Sequence, residues 1–317
     1  STLMRSSAAS DVYKRQIIIP HKNIPHLLQR CLKSIPRRKD VQIIIVDDNS
    51  DPEIVDFANF PGVLEECVEV YFTKEGKGAG FARNVGLEHA VGRWLIFADA
   101  DDFFNACFLG SIDAYKDSLY DIVYFGVNSV FSDSLKVTNR DMRINKFVER
   151  AISLNDVNSL RFKLYGPVSK MVSRKLVETN SLYFEERIVA NDIWFSITSG
   201  FYAQRVIADR TKIYCVTVRE GSLELFVNRE RCDERLSAAF KINDFLKSKG
   251  LLKYRFNVCV YLKFYSHFGF IVLVSRFIRI IRHYQGEYLL FMKDLVECFL
   301  KLFRKKNADF KHMISKK

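Results

Sequence analysis

Residues 43–50 read IIIVDDNS and residues 94–102 read WLIFADADD. Each is a short, continuously apolar run that stops abruptly at carboxylates. An unbroken apolar run without alternation is the pattern of a strand covered on both faces, and open α/β sheets place their ligands just beyond the carboxyl ends of such strands. Two strands that each deliver an acidic cluster predict a largely parallel sheet with a site along one edge.

Outward from these runs, apolar stretches alternate with helical periodicity, as in successive βαβ units. Ile17–Ile19 forms a first strand closed by Pro20. Asn23 is placed to cap a helix whose stripe includes Leu27, Leu28, Cys31 and Leu32, with Pro36 at its end. Asp51 is placed to cap a helix from Pro52. Val68–Phe72 is a further strand, and GKGAG (Gly76–Gly80) leads into a helix from Ala79 to Ala90. Asp121–Val130 reads as a strand, Ser169–Asn180 has helical spacing, Asn191-Asp192 opens an apolar helix through Ala203, and Lys212–Val218 is a last strand.

The chain has 317 residues, 48% of them hydrophobic, enough for one sizeable core and an appended module. Its formal charge of +12 lies wholly in the tail: residues 240–317 hold 17 Lys and Arg against 5 Asp and Glu, leaving 32 of each sign before them. A nucleic-acid surface on the main domain is therefore not supported. Seven scattered cysteines without a C-x-x-C pair argue against a disulfide framework or zinc site and suit a reducing cytosol. The longest uncharged stretch of the tail, Phe264–Ser275, is shorter than the ~20 residues of a spanning helix. Residues 6–16, SSAASDVYKRQ, read as the translation of a sequencing-library transposon adapter, so residues 1–16 are set aside from fold reasoning. The expected organisation is one main domain and, over 226–317, a basic, mainly helical extension.

Asp99, Asp101 and Asp102 repel one another unless a cation sits among them, and hard oxygen ligands select Mg²⁺ or Mn²⁺, with phosphate and water completing the shell. A solvated acidic turn with Asp102 capping the next helix is the bland alternative. Asp47 and Asp48 can accept hydrogen bonds from a base or ribose, or cap a helix. The GKGAG stretch matches neither a P-loop nor G-x-G-x-x-G, and loop flexibility is the better account of it.

Taken in order, IIIPHKN, IIIVDDNSD and GFARNVGLEHAVGRWLIFADADDFF resemble the donor half of family 2 glycosyltransferases with the GT-A fold. YGPVSKMVSRKLV, ANDIWFS and YCVTVREGSL resemble the acceptor half of bacterial surface-polysaccharide members, so the resemblance spans about residues 17–225. It implies an α/β fold with a mostly parallel sheet and helices on both faces. It also implies inverting transfer from a nucleotide-diphospho-sugar to a glycan or lipid-linked glycan acceptor, with Mn²⁺ or Mg²⁺. By position, Asp48 would read the base with Asp47 beside it, Pro20 and His21 would line that pocket, and Arg83 would face the donor. Asp101 would hold the metal with Asp99 toward the ribose, and Asp102 would share the metal or orient the sugar. Arg219 and Ser222 would close over the diphosphate; Lys170 is a weaker candidate.

Asp192 would be the general base, kept ionised at a helix start, whereas apart from the resemblance its plainer reading is a helix N-cap. The family's usual neighbour is glutamate, whereas here it is Asn191, which puts an acceptor contact in doubt. Two other classes share parts of the pattern. A nucleotidyltransferase would need a Gly-rich loop after the first strand, where PHKN has no glycine; a phospho-acceptor signalling domain would begin with the acidic strand. In the tail, Phe270, Val274, Phe277, Ile278 and Ile281 alternate with Arg276, Arg279 and Arg282. Such a stripe either packs on its own domain or lies on an anionic membrane, which would put the enzyme at the inner face of the cell membrane.

Overall fold

The computed structural model describes residues 15–219 and 228–300. The chain divides into two compact units, Ser1–Ser222 and Leu223–Lys317.

The first unit is built on eight strands: β1 (Arg15–His21), β2 (Val41–Asp47), β3 (Val68–Phe72), β4 (Trp94–Phe97), β5 (Phe103–Phe104), β6 (Ile122–Phe131), β7 (Lys170–Ser173) and β8 (Val206–Val218). They lie in the order β3-β2-β1-β4-β7-β6-β8-β5. β1, β2, β3 and β4 are mutually parallel, and β6 runs parallel to β8. β7 is antiparallel to both β4 and β6, so β4, β6 and β8 all point the same way.

Alternation along the central strands explains why both faces are filled. Ile17, Ile19, Ile43, Ile45, Trp94 and Ile96 point into one core. The interleaved Ile18, Ile44, Val46, Leu95 and Phe97 point into the other. Helices α1 (Pro25–Lys33) and α3 (Phe108–Asp113) cover the first face through Leu28, Leu32, Phe108 and Ile112. Helices α2 (Ala79–His89), α4 (Met142–Ser153), α5 (Val157–Lys163), α6 (Arg174–Thr179) and α7 (Ile193–Tyr202) supply side chains to the second.

Several local expectations are corrected. β1 begins at Arg15, ahead of Ile17, because Arg15 pairs with Asp40 and Asp113, and Gln16 bonds Gln42; both side chains are buried. Asn23 does not cap α1: its φ is 58°, its side chain accepts the Asp51 N–H at 2.8 Å, and the helix starts with no side-chain cap. No helix starts at Pro52, where Asp51 and Asp56 accept the nearby N–H groups of Glu53, Ala58 and Asn59 and so hold the chain in turns. Ser169–Asn180 splits into β7 and α6, and the last strand is longer than Lys212–Val218.

Gly80 brings two distant segments together. A Cβ there would sit 2.0 Å from the Glu185 carbonyl oxygen and 2.9 Å from Asn191 Cβ, so only glycine lets α2 press on the segment leading to Asp192. Gly80→Ala is expected to cost about 1–3 kcal/mol by overpacking. Gly110→Ala, in α3 with nothing within 4 Å, should gain up to about 1 kcal/mol from helix propensity. Urea unfolding of the two variants checks this, and equal midpoints would refute the packing role.

The second unit opens with α8 (Arg229–Ser248), followed by short turns, α9 (Leu262–Tyr265), α10 (Phe270–His283) and a helix over 288–300. Its core gathers Cys232, Leu236, Val258, Tyr265, Ile280 and Phe291.

Candidate active site at the carboxyl edge of the sheet

Parallel strands bring their carboxyl ends to one edge, and most of the predicted residues lie there. Asp47 ends β2 and Asp48 follows it, Asp99–Asp102 follow β4, and Arg219 follows β8. Antiparallel β7 begins at this same edge, with Lys170.

Asp47 and Asp48 have different surroundings. The Asp47 carboxylate accepts from His21 Nδ1 at 2.7 Å, Ser50 N–H at 2.9 Å and Ser50 Oγ at 2.6 Å. Burial works upward on its pKa, but these donors outweigh it and hold the carboxyl below its usual value. His21 Nε2 accepts the Ile24 N–H at 3.2 Å, so both ring nitrogens are engaged in joining β1, β2 and α1. Pro20 is buried beside Val46, beyond the last β1–β4 pair, where a missing N–H costs no ladder bond. Asp48 Oδ2 accepts the Gly78 N–H at 2.8 Å and lies 3.7 Å from Lys22 Nζ. Its Oδ1 is buried with no hydrogen-bond partner among the described residues. Burial raises the Asp48 pKa against the pull of Gly78 and Lys22. An orphaned buried carboxylate oxygen is expensive and invites a donor from a bound molecule.

In the second cluster, Asp99 and Asp101 each face a guanidinium. Arg83 Nη2 donates to Asp99 Oδ1 at 2.6 Å, and Arg219 Nε donates to Asp101 Oδ2 at 3.0 Å. The two carboxylates remain partly open, at 40% and 25% exposure. Burial and the charge of Asp99 raise the Asp101 pKa, against Arg219. Two accessible carboxylates suit a hard divalent cation that also takes phosphate and water, and Mg²⁺ needs no more protein ligands than that. Among the described residues no group of three or more acidic, His or Cys side chains forms a metal cage. Asp102 lies apart, in the interior: its Oδ1 accepts the Thr217 N–H at 2.6 Å, and burial with its two acidic neighbours raises its pKa well above normal. Asp102 does not cap a helix.

Arg83 joins this cluster to the segment before α7. Its Nη1 donates to Asn191 Oδ1 at 3.0 Å, and its guanidinium lies over the Phe184 ring. Asp192 stands at the N-cap position of α7 but makes no side-chain cap bond. The simple capping role is thus not what its carboxylate performs. Burial raises its pKa, opposed by Arg83 and Lys170 and reinforced by Asp99, so the expected depression at a helix start is outweighed. Lys170 is buried, its Nζ 3.4 Å from both the Leu164 carbonyl and Ser196 Oγ; burial lowers its pKa to about 7 against the pull of Asp192. Ser222 lies outside the described residues.

Sequence reasoning missed the residues that hold the acidic turn. Tyr214 hydroxyl accepts the Asp99 N–H at 2.9 Å, and Arg30 Nη2 donates to the Asp101 carbonyl at 2.5 Å. A tyrosine inside an apolar strand and an arginine on a helix carry no signal of this task. The Gly78 N–H was within reach of inference, because a glycine just before a helix leaves a donor free.

The mostly parallel sheet with acidic clusters at its carboxyl edge has the architecture of the GT-A fold. The chain belongs to glycosyl transferase family 2, whose description matches residues 16–178. It is 25% identical to EpsJ of Bacillus subtilis, an uncharacterized glycosyltransferase, over 71% of this chain and 67% of that one. It is 27% identical to the poly(ribitol-phosphate) beta-N-acetylglucosaminyltransferase TarS of Staphylococcus aureus, over 66% of this chain but only 36% of that protein's length. The crystal structure of the TarS 1–349 fragment with UDP-GlcNAc has a TM-score of 0.55 at 22% identity, covering 73% of this chain and 66% of that one. A mannosyltransferase of Pyrobaculum calidifontis, in complex with GDP-Man and Mn²⁺, has a TM-score of 0.51 at 15% identity, covering 91% and 86%. Among the described residues no helix is long and apolar enough to cross a membrane.

Proposed function

We propose that this chain is an inverting, metal-dependent glycosyltransferase that moves a sugar from a nucleotide-diphospho-sugar onto an acceptor hydroxyl in bacterial surface-polysaccharide synthesis. The observation that carries the reading is the Asp192 carboxylate. It is uncapped at a helix start, beside the arginine that ties Asn191 to Asp99. The relatives named as poly(ribitol-phosphate) glycosyltransferases, TarS among them, support a glycopolymer acceptor.

In this reading the orphaned Oδ1 of Asp48 accepts a base N–H, with Lys22 at the pocket rim. Asp99 and Asp101 would hold Mg²⁺ or Mn²⁺, which when bound supplies positive charge to the diphosphate. Arg219 exchanges its carboxylate partner for a phosphate oxygen, where its fork suits the growing charge of the leaving group. Arg83 keeps Asp99 and the Asn191 segment in register. Asp192 takes the proton of the acceptor hydroxyl as that oxygen bonds the anomeric carbon and the carbon–diphosphate bond breaks on the opposite face, inverting the centre.

A thermal-shift screen of nucleotide sugars with and without Mn²⁺ tests the donor; no Mn²⁺-linked shift with any of them would sink the reading. The pH profile tests the base. Asp192 works only when ionised and burial raises its pKa, so kcat should fall as pH drops, with an acid limb displaced upward from that of a free aspartate. A limb at the value of a free aspartate would count against Asp192.

A further inference from the structure

Helix α10, FIVLVSRFIRIIRH, contains no acidic residue. It turns Leu273, Phe277 and Ile281 toward the core of its unit and buries Ile280 completely. A surface helix ordinarily shows a polar opposite face. Here the opposite face is apolar again: Phe270 is 78% exposed and Ile271 85%, with Ile278 on the same side. The helix over 288–300 repeats the arrangement, burying Phe291 and Cys298 while Leu289 stands 90% exposed with Met292 and Phe299. The stripe read from sequence is therefore two stripes, of which one fills the core and the other meets solvent.

Charge identifies the occupant. Arg276 is neutralised by Asp233, but the exposed Arg279 and Arg282 have no acidic partner among the described residues, Arg279 donating instead to Ser237 Oγ at 3.0 Å. From Leu300 the sequence continues as KLFRKKNADFKHMISKK, with seven Lys and Arg and one Asp. Two copies meeting through this face would bring like charges together, which disfavours self-association. Large protruding apolar side chains bordered by unpaired arginines suit a water–lipid interface, where the apolar groups enter the acyl boundary and the arginines meet anionic headgroups.

We propose that the carboxy-terminal unit carries a membrane-docking face, formed by the outward apolar side chains of α10 and of the helix over 288–300, that binds an anionic lipid surface. Docking uses no residue of the cleft at the sheet edge, so it stands or falls separately from the glycosyl-transfer reading.

Flotation of the full chain with vesicles of phosphatidylcholine alone, or of equal parts phosphatidylcholine and phosphatidylglycerol, tests it. Binding is expected only to the anionic vesicles and should weaken with salt. Arg279→Glu with Arg282→Glu should lower the partition coefficient by about fivefold or more per residue. Ile271→Asp with Leu289→Asp should abolish binding while leaving the unfolding midpoint unchanged, because both side chains are already in water. Met292→Asp with Phe299→Asp is the second apolar variant, used should the first lower that midpoint. Failure of the wild-type chain to float with anionic vesicles would overturn the proposal. So would full binding by a folded apolar variant, or a dimer in light scattering that the apolar variants dissolve while vesicle binding persists.

Discussion

Asp192→Asn is expected to lower kcat by about 10²–10⁴-fold, the usual contribution of a positioned general base, while leaving nucleotide-sugar binding intact. The amide is close in shape to the carboxylate but cannot take a proton. The fold should tolerate it, since the carboxylate makes no cap bond and burial already disfavours its charge. Single-turnover assays beside isothermal titration with the donor separate the two effects. Transfer at the wild-type rate would remove Asp192 from the mechanism, and loss of donor binding would make it a donor ligand instead.

Asp101→Asn is expected to act on binding. Its carboxylate is partly exposed and, among the described side chains, pairs with Arg219, an arrangement worth about 0–1 kcal/mol to stability. The metal-free variant should therefore unfold at nearly the wild-type midpoint. Mn²⁺ affinity should fall by more than the roughly 10–100-fold that follows loss of a ligand's supporting partner, and Mn²⁺ should no longer strengthen donor binding. Titrating the donor with and without Mn²⁺ checks this. An undiminished Mn²⁺ effect would show that Asp101 is no metal ligand.

The two mutants probe residues of unequal legibility. Asp101 stands out in sequence because three carboxylates in four residues, at the end of an apolar run, need a reason. Asp192 alone reads as a helix cap; its surroundings distinguish it. Ser169–Asn180 misled because Met171, Val172, Leu176 and Val177 fit one helical stripe as well as a short strand running straight into a helix. The order of strands across the sheet decided between them, since Leu95 and Ile96 needed an edge partner. Asp102 and Asp99 look alike in sequence, yet one is buried against the β8 backbone and the other opens to solvent.

By itself the sequence determined the α/β class, the central strands and the acidic runs at their ends, because these follow from periodicities within a few residues. Tertiary structure alone decided which acids remain open and which guanidinium each one meets. Arg219 reaches Asp101 across 118 positions and Arg83 reaches Asn191 across 108, and Gly80 admits the Asp192 segment only because it lacks a side chain. The physical reason is that charge and burial depend on neighbours brought from far along the chain, and local pattern carries no record of them.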